Sequence, residues 1–157
     1  MRRSVGSNDR MRGEDSTMEQ RLSLVTLGIR DLERAIAFYR ALGWEPHPSS
    51  VAGEVAFYQT GGIVVALWSR DALSADSGVS DGGGWGGITL AHNVATTAEV
   101  DGILVAAAAA GGRIARRAAP TEWGGYSGVF VDLDGHPWEI AVNPGWSLEA
   151  DGTTRLG

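Results

Sequence analysis

The sequence of 157 residues contains no cysteine, which excludes disulfide bonds, thiolate metal sites and thiol nucleophiles. It also contains no lysine, since all 13 positive charges are arginine, so Schiff-base chemistry and a phosphate-binding P-loop lysine are excluded as well. No apolar run approaches the roughly 20 residues of a membrane span, and no secretory signal is evident. We therefore expect a chain without membrane contact, located in the cytoplasm.

Acidic residues outnumber basic ones. The formal net charge is -6 and the isoelectric point is near 5.0. Nucleic-acid binding depends on clustered basic residues, and the folded part has only one such cluster, Arg113 to Arg117, so we expect no nucleic-acid partner. An acidic surface favours a cationic small molecule instead.

The length suits a single domain. Residues 1–19 carry charges of both signs and few apolar residues, and they are predicted to be a disordered leader, because Met11 or Met18 could equally begin a compact chain. We place the domain at residues 20–145 and a C-terminal tail at residues 146–157.

The first half of the domain reads as a strand, a helix and a hairpin. Leu22 to Ile29 favours a strand, Asp31 is a good helix N-cap, and Gly43 stands where a left-handed C-cap is expected. Gly61-Gly62 then separates two strand-like runs, 54–60 and 63–69. Module one is thus assigned to residues 20–69, and the Asp, Ser and Gly-rich residues 70–84 are read as a linker with at most one helical turn.

The second half repeats this order. A strand precedes Thr96, which forms a capping box with Glu99, and a helix follows that ends at Gly111-Gly112. A short strand and the hairpin Tyr126 to Val142 complete module two, residues 85–145. The repeat predicts an α+β fold: two tandem βαβββ modules that form an open, cup-shaped mixed sheet with helices on the outside and a concave ligand surface.

The duplication, together with "VTLGIRDLERAIAFYRALGW" and "GVFVDLDGHPWEIA", resembles the vicinal oxygen chelate superfamily, which includes glyoxalase I, extradiol dioxygenases and bleomycin-resistance proteins. The resemblance covers about residues 21–144. It implies the fold described above and a homodimer, whereas the chemistry varies widely among proteins that share this fold.

In metal-dependent members, the resemblance implies a divalent ion held by histidines and carboxylates of the cup, with a glutamate on the last strand. Here that glutamate falls on Glu139, but Leu24 and Thr89 stand at the two histidine positions, and "GIVVALWS" has no carboxylate. One carboxylate does not fix an ion, so we expect no metal and no other cofactor. The alternative is a divalent ion on a rearranged site of Glu139 with His92 or Asn93.

Strand alternation assigns faces to these residues. If Thr89 points into the cup, His92 points toward the helix and is structural. Asp132, Asp134 and Gly135 are typical of a tight turn, and His136 is expected to face solvent in that turn. Trp138 and Ile140 belong to the core, so Glu139 faces the cup.

The predicted ligand-binding residues are aromatic or polar and lie near that strand: Trp68, Trp85, Thr89, Trp123, Tyr126 and Glu139. Glu139, the only catalytic candidate, could accept hydrogen bonds, pair with a cation or act as a general base. The sequence leaves enzymatic activity open. The first hypothesis is a metal-free protein that binds a small aromatic or cationic molecule. The alternative is a lyase, isomerase or dioxygenase that uses a rearranged metal site or Glu139 as base.

Overall fold

A computed structural model describes residues 18–157, so the predicted leader, residues 1–19, lies almost entirely outside the described residues. The helices are α1 (Leu32–Ala41), α2 (Arg70–Ser77) and α3 (Thr97–Ala109). The strands are β1 (Leu24–Ile29), β2 (Val55–Thr60), β3 (Ile63–Ser69), β4 (Leu90–Asn93), β5 (Arg113–Pro120), β6 (Tyr126–Val131), β7 (Pro137–Val142), β8 (Ser147–Leu148) and β9 (Thr154–Arg155).

Two open mixed sheets make up the framework. The first has the order β1-β3-β2, with β1 parallel and β2 antiparallel to β3. The second has the order β4-β7-β6-β5, with β4 parallel to β7 and the other pairs antiparallel. The predicted α+β class with open mixed sheets is therefore confirmed.

The first half departs from the βαβββ pattern. Where its short strand was expected, the structure has only a single bridge between Val51 and Val55. Pro46 and Pro48 lie in this segment, and proline cannot donate a ladder hydrogen bond, so a regular strand is not favoured. The predicted linker also differs, because it contains the eight-residue helix α2.

The predicted helix caps are confirmed. The side chain of Asp31 accepts a hydrogen bond from the Arg34 amide at 3.1 Å, which satisfies one free N–H at the start of α1. Gly43 follows α1 with a φ of 92°. At α3, Thr96 and Glu99 exchange both hydrogen bonds of a capping box.

Helices α1 and α3 pack on the sheets around one shared core. Leu67, Val100 and Ile140 are among its fully buried side chains. Phe38 of α1 contacts Phe130 of β6, with ring centroids 6.1 Å apart, so aromatic packing connects the two halves. Neither half completes its core alone.

A buried hydrogen-bond network joins the halves at the same place. The Tyr39 hydroxyl donates to Asp132 Oδ2 at 2.5 Å and accepts from Trp138 Nε1 at 3.2 Å. Asp132 Oδ1 accepts from the amides of Asp134 and His136, each at 2.9 Å. Burial, reinforced by the adjacent Asp132 carboxylate, raises the pKa of Tyr39, so its hydroxyl stays a donor.

The turn between β6 and β7 also contacts the end of β1. His136 Nε2 lies 2.8 Å from the carbonyl oxygen of Gly28, and the Arg30 amide donates to Asp134 Oδ1 at 3.0 Å. The expectation that His136 faces solvent is therefore wrong, because its half-buried ring binds the backbone of the other half. Among the residues described, no helix has the length and apolar character needed to cross a membrane.

We predict that Tyr39→Phe lowers the free energy of unfolding by about 1–3 kcal/mol, because Asp132 loses a donor and Trp138 loses an acceptor inside the core. Urea unfolding followed by circular dichroism measures the change. Tyr126→Phe is the matched control, since the Tyr126 hydroxyl donates to Asp101 at the surface. An equal loss in both variants would contradict the importance of the buried network.

Candidate functional site

Glu139 lies on the face of the second sheet that is turned away from α3. The register places Ala91 of β4, Glu139 of β7, Val129 of β6 and Arg116 of β5 in one row across the sheet. We call this side the Glu139 face. Trp138 and Ile140, the neighbours of Glu139 along β7, are buried on the opposite face, as the alternation predicted.

Arg116 is the charged partner of Glu139. Its Nη2 lies 3.5 Å from Glu139 Oε1, and the two side chains are 47% and 33% exposed. The same guanidinium donates to the backbone oxygen of Ser127 at 2.9 Å and to Ser127 Oγ at 2.8 Å. Because Ser127 is fully buried, it holds the guanidinium in place against the sheet.

The position of Arg116 depends on irregular pairing. The ladder between β5 and β6 shifts register between Ile114 and Arg116, and again between Arg116 and Ala119. Such bulges change the pairing between two strands, and therefore which side chain of one strand lies opposite a given residue of the other. Sequence analysis noticed the basic cluster around Arg116 but could not choose which arginine meets Glu139.

The donor set does not fit the divalent ion that the resemblance implies. His92 pairs in register with Ile140, so it lies on the core side of β4, while Glu139 pairs with Ala91. In the described part of the chain, no three His, Asp or Glu side chains form a cluster that could hold a metal ion. A guanidinium, rather than a second ligand, stands beside Glu139.

A cavity of about 800 Å³ opens next to the Glu139 face. Val131 and Pro137, which flank one another on that face, form part of its wall together with Arg113. Pro137 precedes Glu139 by two residues, a distance of roughly 7 Å along a strand. The remaining wall comes from the ends of β1 and β3, the start of α2, the segment 81–89 and the turn between β6 and β7. We call it the Arg113 cavity.

Close packing at Gly28 brings α2 to this cavity. A Cβ atom at Gly28 would lie 3.1 Å from Cγ of Arg70, which is closer than a side chain usually allows. Arg70 binds Asp81 with two hydrogen bonds, one of them 2.9 Å from Nη2 to Oδ1. These bonds hold the pKa of Asp81 well below its usual range, so the pair stays charged and fixed.

The structure does not bring the predicted ligand-binding residues together at one place. Trp85 and Thr89 line the Arg113 cavity. Trp68 lies half-buried beside Gly28 in the first sheet and lines no described cavity. Trp123, 51% exposed, covers Gly125 at the other end of β6.

Tyr126 corrects one expectation. It pairs with Val142, which shares the parity of Ile140, and its hydroxyl donates to Asp101 of α3 at 2.7 Å. Tyr126 therefore lies on the helix side of the sheet and not on the Glu139 face. Alternation along a single strand could not show this, because the face of Tyr126 relative to Glu139 depends on the pairing of β6 with β7.

The sequence matches a known protein family. The family model for the Glyoxalase/Bleomycin resistance protein/Dioxygenase superfamily matches residues 21–140. No curated protein matches the chain.

Among solved structures, a glyoxalase-related enzyme from Fulvimarina pelagi is 40% identical, with a TM-score of 0.82 over 88% of this chain and 99% of that one. A hypothetical protein from S. aureus is 27% identical, with a TM-score of 0.71 over 81% of this chain and 96% of that one. A lactoylglutathione lyase from Agrobacterium tumefaciens, 22% identical over 81% of this chain and 96% of that one, has a TM-score of 0.60 and shares the fold.

We predict that Arg116→Met and Glu139→Gln are coupled by about 0.2–1 kcal/mol in a double-mutant cycle of unfolding free energies, because the pair is partly exposed. The coupling should weaken in high salt. Arg117→Met with Glu139→Gln is the matched control and should show no coupling. Coupling to Arg117 instead of Arg116 would contradict the described register.

Proposed function

Because this chain belongs to the Glyoxalase/Bleomycin resistance protein/Dioxygenase superfamily, we propose that its Arg113 cavity binds a small aromatic molecule with an anionic group, without a metal ion. The observation that carries this proposal is the cavity of about 800 Å³ with Arg113 in its wall, next to a Glu139 that is already paired with Arg116. Since Arg116 already balances the charge of Glu139, neither a metal ion nor a cationic guest is needed there. Of the two guests expected from the sequence, aromatic or cationic, the geometry favours the aromatic one.

The size and walls of the cavity suit such a guest. About 800 Å³ lies within the range of roughly 300–1,000 Å³ that small-molecule sites occupy. Trp85, Val131 and Pro137 provide flat or apolar surface, and Thr89 provides a hydroxyl. Aromatic side chains contribute contact area with few rotatable bonds to restrict.

The anionic group is expected beside Arg113. The walls contain three arginines and three aspartates, but Arg70 and Asp81 bind each other, and Asp134 accepts from the Arg30 backbone. Within residues 18–157, neither the Arg30 nor the Arg113 guanidinium has a carboxylate within 4.0 Å, and Arg113 is the one that pairs in register with the apolar wall residue Val131. A ligand carboxylate can therefore bind it with charge-assisted hydrogen bonds.

Assembly and location stay predictions. Superfamily membership supports a homodimer, which light scattering on the purified chain would detect. A cytoplasmic location rests on the composition alone.

A catalytic role for Glu139 is the second candidate, favoured because the 40% identical structure is described as a glyoxalase-related enzyme. In this case Glu139 acts as a general base, and Arg116 positions it. Assaying glyoxalase activity in the wild type and in Glu139→Gln tests it. Activity that the variant loses by at least a hundredfold, with the fold intact, would favour catalysis, whereas no activity in either protein would reject glyoxalase chemistry.

We predict that 1-naphthoate binds the wild-type chain in isothermal titration calorimetry and that Arg113→Gln weakens this affinity about tenfold, the effect of losing one charged hydrogen bond. Arg34→Gln is the matched control, because Arg34 is exposed on α1 and does not line the cavity. Equal affinities in wild type and Arg113→Gln would contradict the proposed site. Adding a chelator should leave the affinity for 1-naphthoate unchanged.

A further inference from the structure

A second cavity, of about 830 Å³, lies at the strand β4, and its aromatic wall is on the core side of the sheets. Its walls include residues 44–45 after α1, the turn between β2 and β3, the strand β4, the start of α3 and the tail residues 148–154. We call it the Trp44 cavity. It shares no wall residue with the Arg113 cavity.

Three aromatic side chains form its inner wall. The ring centroids of Trp44 and Tyr58 are 5.4 Å apart, and those of Trp44 and Trp138 are 5.6 Å apart with the planes at 89°. Trp44 is half-buried, so part of its surface remains available to a guest. The partly exposed Trp44 ring, packed on two other aromatic rings, suits a flat molecule or an organic cation.

The Tyr58 hydroxyl lacks a hydrogen-bond partner. Tyr58 is 2% exposed, and its oxygen has no donor or acceptor within reach in the described part of the protein. This contrasts with Tyr39, whose hydroxyl makes two hydrogen bonds in the same core. A buried polar atom without a partner is destabilising, so a ligand that hydrogen-bonds to it gains affinity.

The charges of the walls are of one sign. The carboxylates that line the Trp44 cavity come from four different segments: Glu45, Glu99, Glu149 and Asp151. None of the lining residues is an arginine, although Arg40 and Arg155 pair with two of these carboxylates from outside the walls. The Arg113 cavity, by comparison, has equal numbers of arginines and aspartates.

His92 does not offset this acidity. Partial burial lowers the pKa of the His92 ring, so the ring is predominantly neutral at pH 7. Among the described residues Glu99 and Asp151 have no arginine partner, so the wall keeps a net negative charge that attracts a cation.

We propose that the Trp44 cavity is a second ligand site, which binds a flat aromatic molecule with a protonated amine. The ring system packs against Trp44 and Trp138, and the ammonium group donates a hydrogen bond to the Tyr58 oxygen. The surrounding carboxylates stabilise its charge. This site is independent of the proposed function, because it uses another cavity and a ligand of opposite charge.

Three probes that share one ring test the proposal by calorimetry on the full chain: 1-naphthylmethylammonium, 1-naphthylmethanol and 1-naphthoate. The ammonium ion should bind at least tenfold more tightly than the neutral alcohol. Tyr58→Phe should weaken the affinity for the ammonium ion about three- to tenfold, and Trp44→Leu should weaken it more strongly. Arg113→Gln should leave this affinity unchanged. Equal affinity for the ammonium ion and the alcohol would overturn the proposal.

A charge-matched pair of variants tests the role of the carboxylates. The double variant Glu149→Gln with Asp151→Asn should weaken the affinity for the ammonium ion at least threefold. Glu33→Gln with Glu122→Gln changes the net charge equally at exposed sites outside the cavity and should have no such effect. Equal weakening in both pairs would mean nonspecific attraction and would overturn the site.

Loss of ligand binding can be distinguished from loss of folding. Because the Tyr58 hydroxyl makes no hydrogen bond in the described structure, Tyr58→Phe should retain wild-type stability, in contrast to Tyr39→Phe. If Trp44→Leu fails to fold, the affinities of Tyr58→Phe and of Glu149→Gln with Asp151→Asn test the site. Unchanged affinity in Tyr58→Phe would contradict the proposal. If the wild-type chain binds the ammonium ion but not 1-naphthoate, only the proposed function is contradicted.

Discussion

The alternation of side chains along β7 determines how the two sides of this molecule differ. Trp138 and Ile140 face the core and pack beneath the helices, while Glu139 between them faces outward. A carboxylate is acceptable at that position because it is partly exposed and lies beside Arg116. A shift of β7 by one residue would bury Glu139 and expose Trp138, so the register of this strand is strongly specified.

Two cavities of similar volume follow from this division, and their charges differ. The Arg113 cavity adjoins the outward face and has balanced charges, whereas the Trp44 cavity adjoins the core and is acidic and aromatic. The sequence suggested one cup with both an aromatic and a cationic preference. The structure distributes the residues behind these preferences between two places.

Local signals in the sequence were sufficient for much of the fold. The caps at Asp31 and Thr96 were predictable because each depends on residues three positions apart. The ion pair was not predictable, because the bulges around Arg116 change the register between β5 and β6. The Trp44 cavity was hidden for a related reason: Trp44, Tyr58 and Trp138 come from distant segments that meet only after both halves share a core.

Arg116, rather than a metal ion, provides the charge that balances Glu139 in this structure. Anomalous diffraction from crystals grown with Mn²⁺ distinguishes the two possibilities. We expect the Arg116 guanidinium between Glu139 and Ser127 and no anomalous peak within coordination distance of the carboxylate. A manganese peak bound by Glu139, with Arg116 displaced, would contradict it.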